Sequence, residues 1–250
     1  MRTQAAGAQG AQYYSFGDSV LTFFKDKPKD IAKVFSYAAS WFTIANPGHP
    51  IVERFGSRMS MVKNVLSAEE LPGKFQTLNK SFSAFLNGVP GATRKVVTEV
   101  ASVIHSAVDG ISFFDSLSPS DKGAISEGVM RWVKGVGSVA TTVFAANSAF
   151  DQVQNIRSME TLNVEGDKTM FYLLNLARDV SYLALGVISL TCMATATPLA
   201  PWVALALLTS GLTFTIGGYF YEKVYDPEKK GKNLDPRFLV SNFMKTGVAV

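Results

Sequence analysis

VSYLALGVISLTCMATATPLAPWVALALLTSGLTFTIGGYFY, residues 180–221, is a run of 42 residues without a charged side chain. Pro198 and Pro201 divide it into a front piece of 18 residues (180–197) and a back piece of 20 (202–221). A helix of about 20 residues crosses the roughly 30 Å hydrocarbon core of a bilayer. The stretch therefore reads as a transmembrane helical hairpin, with Pro198 and Pro201 at its turn. Two wholly buried helices of a soluble bundle would also be apolar all round. The length of the uncharged run argues for lipid instead. So do the small residues Gly186, Ser189, Ala194, Gly211, Gly217 and Gly218, since small residues let membrane helices approach closely. The expectation is an integral, multi-pass membrane protein.

Composition agrees. Only 18% of the 250 residues are charged, against a usual share of about 25%, and the deficit sits in the hairpin. The net charge of +4 suits an anionic membrane surface. No basic cluster with interleaved aromatics stands out, so no nucleic-acid partner is expected. Cys192 is the single cysteine, which excludes an intrachain disulfide and a cysteine metal site. The N-terminal MRTQAAGAQGAQ (1–12) has no apolar core of a secretory signal. Targeting is expected to use internal segments such as the hairpin.

The rest of the chain reads as helical. The organisation expected is a disordered tail (1–17), an amphipathic helical region (18–179), the hairpin (180–221) and a polar tail (222–250). Asp18 is placed to cap a short helix reaching about Lys25. Pro28 starts a second helix with a stripe at Ile31, Val34, Phe35, Ala38, Trp41 and Phe42, and NPGHP (46–50) breaks it. Pro50 opens a third, with Ile51, Phe55, Met59, Val62 and Leu66 on one face and LPG (71–73) at its end. A further stretch, GKFQTLNKSFSAFLNG (73–88), stops at Gly88 and Pro90. A longer helix is expected over about 93–114. Another should be capped by Ser118, with Pro119 in its first turn, and reach about Arg157. Asp167 is placed to cap the helix that leads into the hairpin. The fold class is all-α: cytosolic amphipathic helices plus a C-terminal transmembrane hairpin.

Two spans leave both flanks on one side. Positive residues at the flanks favour the cytosolic side, so residues 1–179 and 222–250 are expected there. A third span at 135–150 would break that parity, but 16 residues are short for a crossing.

Chemistry-bearing patterns are few. SFGDSVL (15–21) is similar to the nucleophile block of GDSL-type hydrolases, with Ser19 as nucleophile. That chemistry needs a histidine base in reach of the hydroxyl, and the family's late DxxH motif is missing. His49 and His105 lack the spacing of a metal pair. No phosphate-cradling glycine loop occurs. Catalysis, cofactors and metals are therefore not expected. Arg178 and Asp179 read as an interfacial pair at the start of the hairpin. The hydroxyls of Ser189, Thr191, Thr209, Ser210, Thr213 and Thr215 would line a solute path if the hairpin formed one, but they can equally bond back to their own helix.

The better functional candidate is 73–88. Phe75, Leu78, Phe82, Phe85 and Leu86 form a large apolar face opposite weakly polar residues. Such a helix can lie in the headgroup boundary as a wedge, or its face can pack against neighbouring helices.

LTFFKDKPKDIAKVFSYAASWF (21–42) is similar to the N-terminal block of the peroxin 11 family, which proliferates peroxisomal membranes. Asp26, Lys27, Tyr37 and Ala38 are the matching residues, while Phe24-Lys25 stands where the family has Gly-Arg. Stretch 51–86 is similar in placement to that family's remodelling amphipathic helix, and LLNLARDVSYLALGVISL (173–190) to its block where an Asp enters a late apolar segment. The resemblance implies a peroxisome or glycosome membrane, both termini cytosolic, homo-oligomerisation, and organelle elongation before division with fission or trafficking factors as partners. The hairpin's bilobed shape also resembles chlamydial inclusion membrane proteins. That likeness implies a scaffold at the vacuole membrane of an intracellular bacterium. A small-solute channel is the third class.

Overall fold

The computed structural model describes residues 16–117, 125–161 and 167–222. Among these residues there are helices and no strands. They are α1 (Phe16–Asp26), α2 (Pro28–Ala45), α3 (Pro50–Glu69), α4 (Leu71–Leu86), α5 (Ala92–Ser116), α6 (Glu127–Thr161), α7 (Asp167–Ala194) and α8 (Pro201–Phe220).

Prolines set several starts. Pro28, Pro50, Pro72 and Pro201 each stand in a first turn, where the missing N–H is no loss. LPG therefore opens α4 as much as it closes α3, and Glu70 alone separates the two helices. Asp18 lies inside the first turn of α1 and not at its cap. Ser118 and Pro119, and the tails before 16 and after 222, lie outside the described residues.

Two helices end in the same way. At α4, the Val89 N–H donates to Ala84 O and the Gly88 N–H to Phe85 O, with Gly88 at φ +68°. At α7, the Thr197 N–H donates to Cys192 O and the Ala196 N–H to Met193 O, with Ala196 at φ +53°. Both are Schellman ends, which favour glycine in the left-handed position. The hairpin turn places alanine there, just before Pro198.

The helices close into a ring. α2 packs on α3, α3 on α5, α5 on α6, α6 on α7, α7 on α8, and α8 returns to α2. α4 lies against α5 outside that ring. α1 docks on the end of α8, where Phe23 meets the rings of Tyr219 and Phe220 and the Tyr219 hydroxyl donates to Asp26 at 3.1 Å.

The burial pattern is inverted relative to a water-soluble bundle. Phe35 and Phe42 on α2, Ile51 and Phe55 on α3, Trp132 and Phe150 on α6, Val187 on α7 and Trp202 on α8 all face outward. Inside sit Ser36, Asn64, Ser67, Ser106, Asn175, Asp179 and Ser181, with small apolar residues such as Ala32, Ala101 and Ala145. The stripes on α2 and α3 thus point away from the ring. Monomeric soluble proteins rarely expose contiguous apolar surface on this scale.

Three described helices are long and apolar enough to cross a membrane: 92–116, 169–194 and 201–220. The last two are the expected hairpin. The third is α5, not the 135–150 stretch of α6. Its apolar content is spread between Lys95 and Asp109, so it lacks the blunt uncharged run of the hairpin. With three candidates, the parity argument for both termini on one side no longer follows from counting helices.

Candidate functional site

Two features stand out, one on the outside of the ring and one inside it. The outer one is the apolar face of α4. Phe75, Phe82, Phe85 and Leu86 are 55%, 47%, 43% and 69% exposed, whereas Ser81 at the edge of that face is 4% exposed. Leu78 is half-buried. The Phe82 and Phe85 rings lie 6.1 Å apart on the outer surface. The helix is held along its Lys74, Leu78 and Ser81 edge: the Lys74 ammonium donates to the buried Ser106 hydroxyl on α5 and pairs with Glu70 at 3.3 Å, while Gln76, Thr77, Asn79, Lys80 and Ser83 are exposed. The five residues expected as a membrane-insertion face are therefore brought together, with four of them unpacked by the rest of the protein. Pro198 and Pro201 sit far from them, in the hairpin connection and at the start of α8.

The inner feature is a cavity of about 340 Å³ among the helices, partly open to the outside. Lys29 and Lys33 from α2, Lys63 from α3 and Lys74 from α4 converge on it. His105 and Asp109 from α5 face them, and Tyr37 and Tyr182 stand at its wall. Lys33 pairs with Asp30 at 2.9 Å and Lys29 with Glu70 at 2.9 Å. Asp109 accepts from Ser67 at 2.7 Å and lies 3.9 Å from His105 Nε2. The His105 side chain keeps 46% of its surface open although protein surrounds it, because it looks into the cavity.

Charge crowding shows in the lysines. Burial pulls Lys63 below the usual lysine range; Asp109 opposes this, and neighbouring Lys33 and Lys29 add to it. Burial likewise lowers Lys74, aided by Lys29 and resisted by Glu70. For Lys33 burial also acts downward, but the Asp30 carboxylate outweighs it and the net direction is up. Burial drives the Tyr37 phenol upward, with Tyr182, Asp109 and Asp30 adding to the effect.

Of the hairpin hydroxyls, Thr209, Ser210 and Thr213 line a second, more open pocket of about 320 Å³ beside Trp41. Thr191, Thr209, Thr213 and Thr215 each donate to the carbonyl four residues back. Thr209 also accepts from the Trp41 indole at 3.0 Å.

Arg178 and Asp179 differ from the interfacial expectation. Asp179 is fully buried. It accepts from Arg178 Nε at 2.8 Å and Nη2 at 2.7 Å, and from Ser148 on α6. The reason is that α7 begins at Asp167, so Asp179 lies three turns inside it, against α6. Burial of the carboxylate is tolerated because Arg178 and Ser148 hydrogen-bond its two oxygens. Among the described residues no group of three or more potential ligands is placed to hold a metal.

No motif marks the chamber, since its lysines come from three helices, α2, α3 and α4. Lys63 lies off the apolar stripe of its helix, but so do Glu53, Arg54 and Arg58, so that position does not single it out. Of the residues resembling the peroxin 11 block, Tyr37 lines the chamber and Asp26 ties α1 to α8. Comparison of the chain with family models, curated proteins and solved structures finds no match.

Proposed function

We propose that the chain is an integral membrane protein of a peroxisome-type organelle that shapes the bilayer and promotes organelle elongation and division, without catalysis. The observation that supports this reading is the outward apolar face of α4. A helix held along one edge against α5, in a bundle anchored by the hairpin, presents Phe75, Phe82, Phe85 and Leu86 to one leaflet. Insertion of such a face to about 5–10 Å expands that leaflet and favours curvature. In this reading α7 and α8 cross as a hairpin, both chain ends stay cytosolic, and copies self-associate to concentrate the wedges. The choice of organelle rests on the sequence blocks at 21–42 and 173–190 alone.

The full-length protein reconstituted into liposomes tests it. Wild-type protein should draw tubules, and Phe82→Asp/Phe85→Asp should incorporate equally but leave spheres. Equal tubulation by both would remove the wedge. A tagged copy in a peroxisome-bearing cell tests the organelle: a plasma-membrane or mitochondrial pattern excludes it, and a vacuole pattern in an infected cell would favour the inclusion-scaffold reading. A solute channel is the second reading, favoured by the cavity at the centre of the ring. Ion or solute flux through the same liposomes separates it from shaping alone.

A further inference from the structure

The chamber carries more cations than its own carboxylates neutralise. Four ammonium groups line it, and the carboxylates within reach are Asp30, Glu70 and Asp109. Asp30 is taken by Lys33, and Glu70 is shared between Lys29 and Lys74. Asp109 is held by Ser67 beside His105. Lys63 has no ion-pair partner within 4 Å among the described residues and lines the chamber with the other three lysines and Asp109. Four cations thus share three carboxylates, and an excess of positive charge inside a bundle is costly.

We propose that the chamber binds a phosphate group. The donors are point-charge ammoniums on several sides of a volume, and none is the planar guanidinium fork that reads a carboxylate edge-on. A tetrahedral oxyanion offers oxygens in all those directions. Hydroxyls of Tyr37 and Tyr182 on the wall supply neutral donors. The size matches small-ligand sites, which begin at about 300 Å³. Phosphate of this kind is carried by a soluble ion or ester, or by the headgroup of an anionic lipid. The inference stands apart from membrane shaping, which uses the outer face of α4.

Thermal unfolding of the full chain in neutral detergent tests it in two arms. One adds inorganic phosphate against chloride at equal ionic strength. The other adds phosphatidic acid to the micelles against phosphatidylcholine. A ligand at 100 times its Kd should raise the melting temperature by about 5–11 °C. Lys63→Met should abolish the rise, Lys63→Arg should keep it, and Lys95→Met on the exposed side of α5 should not affect it. A rise with inorganic phosphate identifies a soluble ligand, and a rise with phosphatidic acid alone identifies a headgroup. No rise in either arm, or an equal rise in Lys63→Met, overturns the proposal. Lys63→Arg folds with the charge retained, so an unstable Lys63→Met would still leave the two arms readable on wild type, Lys63→Arg and Lys95→Met. In that case a rise lost in Lys33→Met supports the site and one retained there overturns it.

Discussion

The α7–α8 hairpin and the α2–α5 side of the ring are joined by opposite means. In the hairpin the contacts are steric. A Cβ on Gly186 would stand 2.2 Å from Thr142 Oγ1 on α6, and one on Gly211 would stand 2.8 Å from the Tyr182 ring. Across the ring the contacts are polar: Lys29–Glu70, Lys74–Ser106 and Ser67–Asp109. Where both faces of a helix meet apolar surroundings, the hydrophobic effect gives no reason for helices to associate. Close packing and polar bonds must supply it. Close packing predominates on the hairpin side and polar bonds on the other, although Gly56 also lets α3 approach α2, where a Cβ would stand 3.1 Å from Ala39. The polar bonds of the hairpin side are Asp179 with Ser148, Trp41 with Thr209, and Tyr219 with Asp26.

The steric half should break most sharply. Gly186→Leu would force α6 and α7 apart, because the obstructing atoms include the Thr142 backbone nitrogen at 3.2 Å. Overpacking of this kind costs about 1–3 kcal/mol or more. We expect loss of a monodisperse species in detergent gel filtration. Gly218→Ala, whose Cβ would find its nearest neighbour at 3.8 Å, should remain monodisperse. If Gly186→Leu behaves like Gly218→Ala, packing does not hold the hairpin to the ring.

The turn of the hairpin sharpens the comparison in the other direction. Ala196 carries a left-handed conformation that Gly88 adopts freely at the end of α4. Ala196→Gly should therefore stabilise the fold by about 1 kcal/mol, read as a later midpoint in denaturant titration. No gain would mean that the turn is rebuilt around a different residue.

The polar half should respond least, and with pH. Glu70 is drawn below its usual value of 4.5: burial acts upward, and the hydrogen bond and charge of Lys29, then Lys74, outweigh it. A carboxylate lowered in the folded state contributes stability above its unfolded pKa and loses it as pH falls through the folded one. Glu70 is 43% exposed, so the pair energies are screened, and Glu70→Gln should cost no more than about 1 kcal/mol at neutral pH. The wild-type advantage should shrink below pH 4.5 and vanish at lower pH. An advantage that persists into strong acid would assign the effect to packing of the side chain, not to its charge.

Much of the helix order was legible in the sequence because its signals are local. Pro28, Pro50 and Pro201 each act within one turn, and Gly88 ends α4 through its own backbone freedom. The apolar face of α4 was legible for the same reason, as a repeat of three and four residues. Its outward direction was not, since periodicity says which residues share a face and nothing of what that face meets. Arg178 and Asp179 were misplaced to the interface because the position of a charge relative to lipid depends on where α7 begins and on what α6 offers it.

The amino-acid sequence alone determined an all-helical chain with a long uncharged segment near its C-terminus, because turn chemistry and hydropathy act between neighbours. Tertiary structure decided that α8 returns to α2 and that four lysines share one cavity. Lys29 and Lys33 are one turn apart on α2, but Lys63 and Lys74 join them only through the packing of separate helices, which no short-range signal encodes.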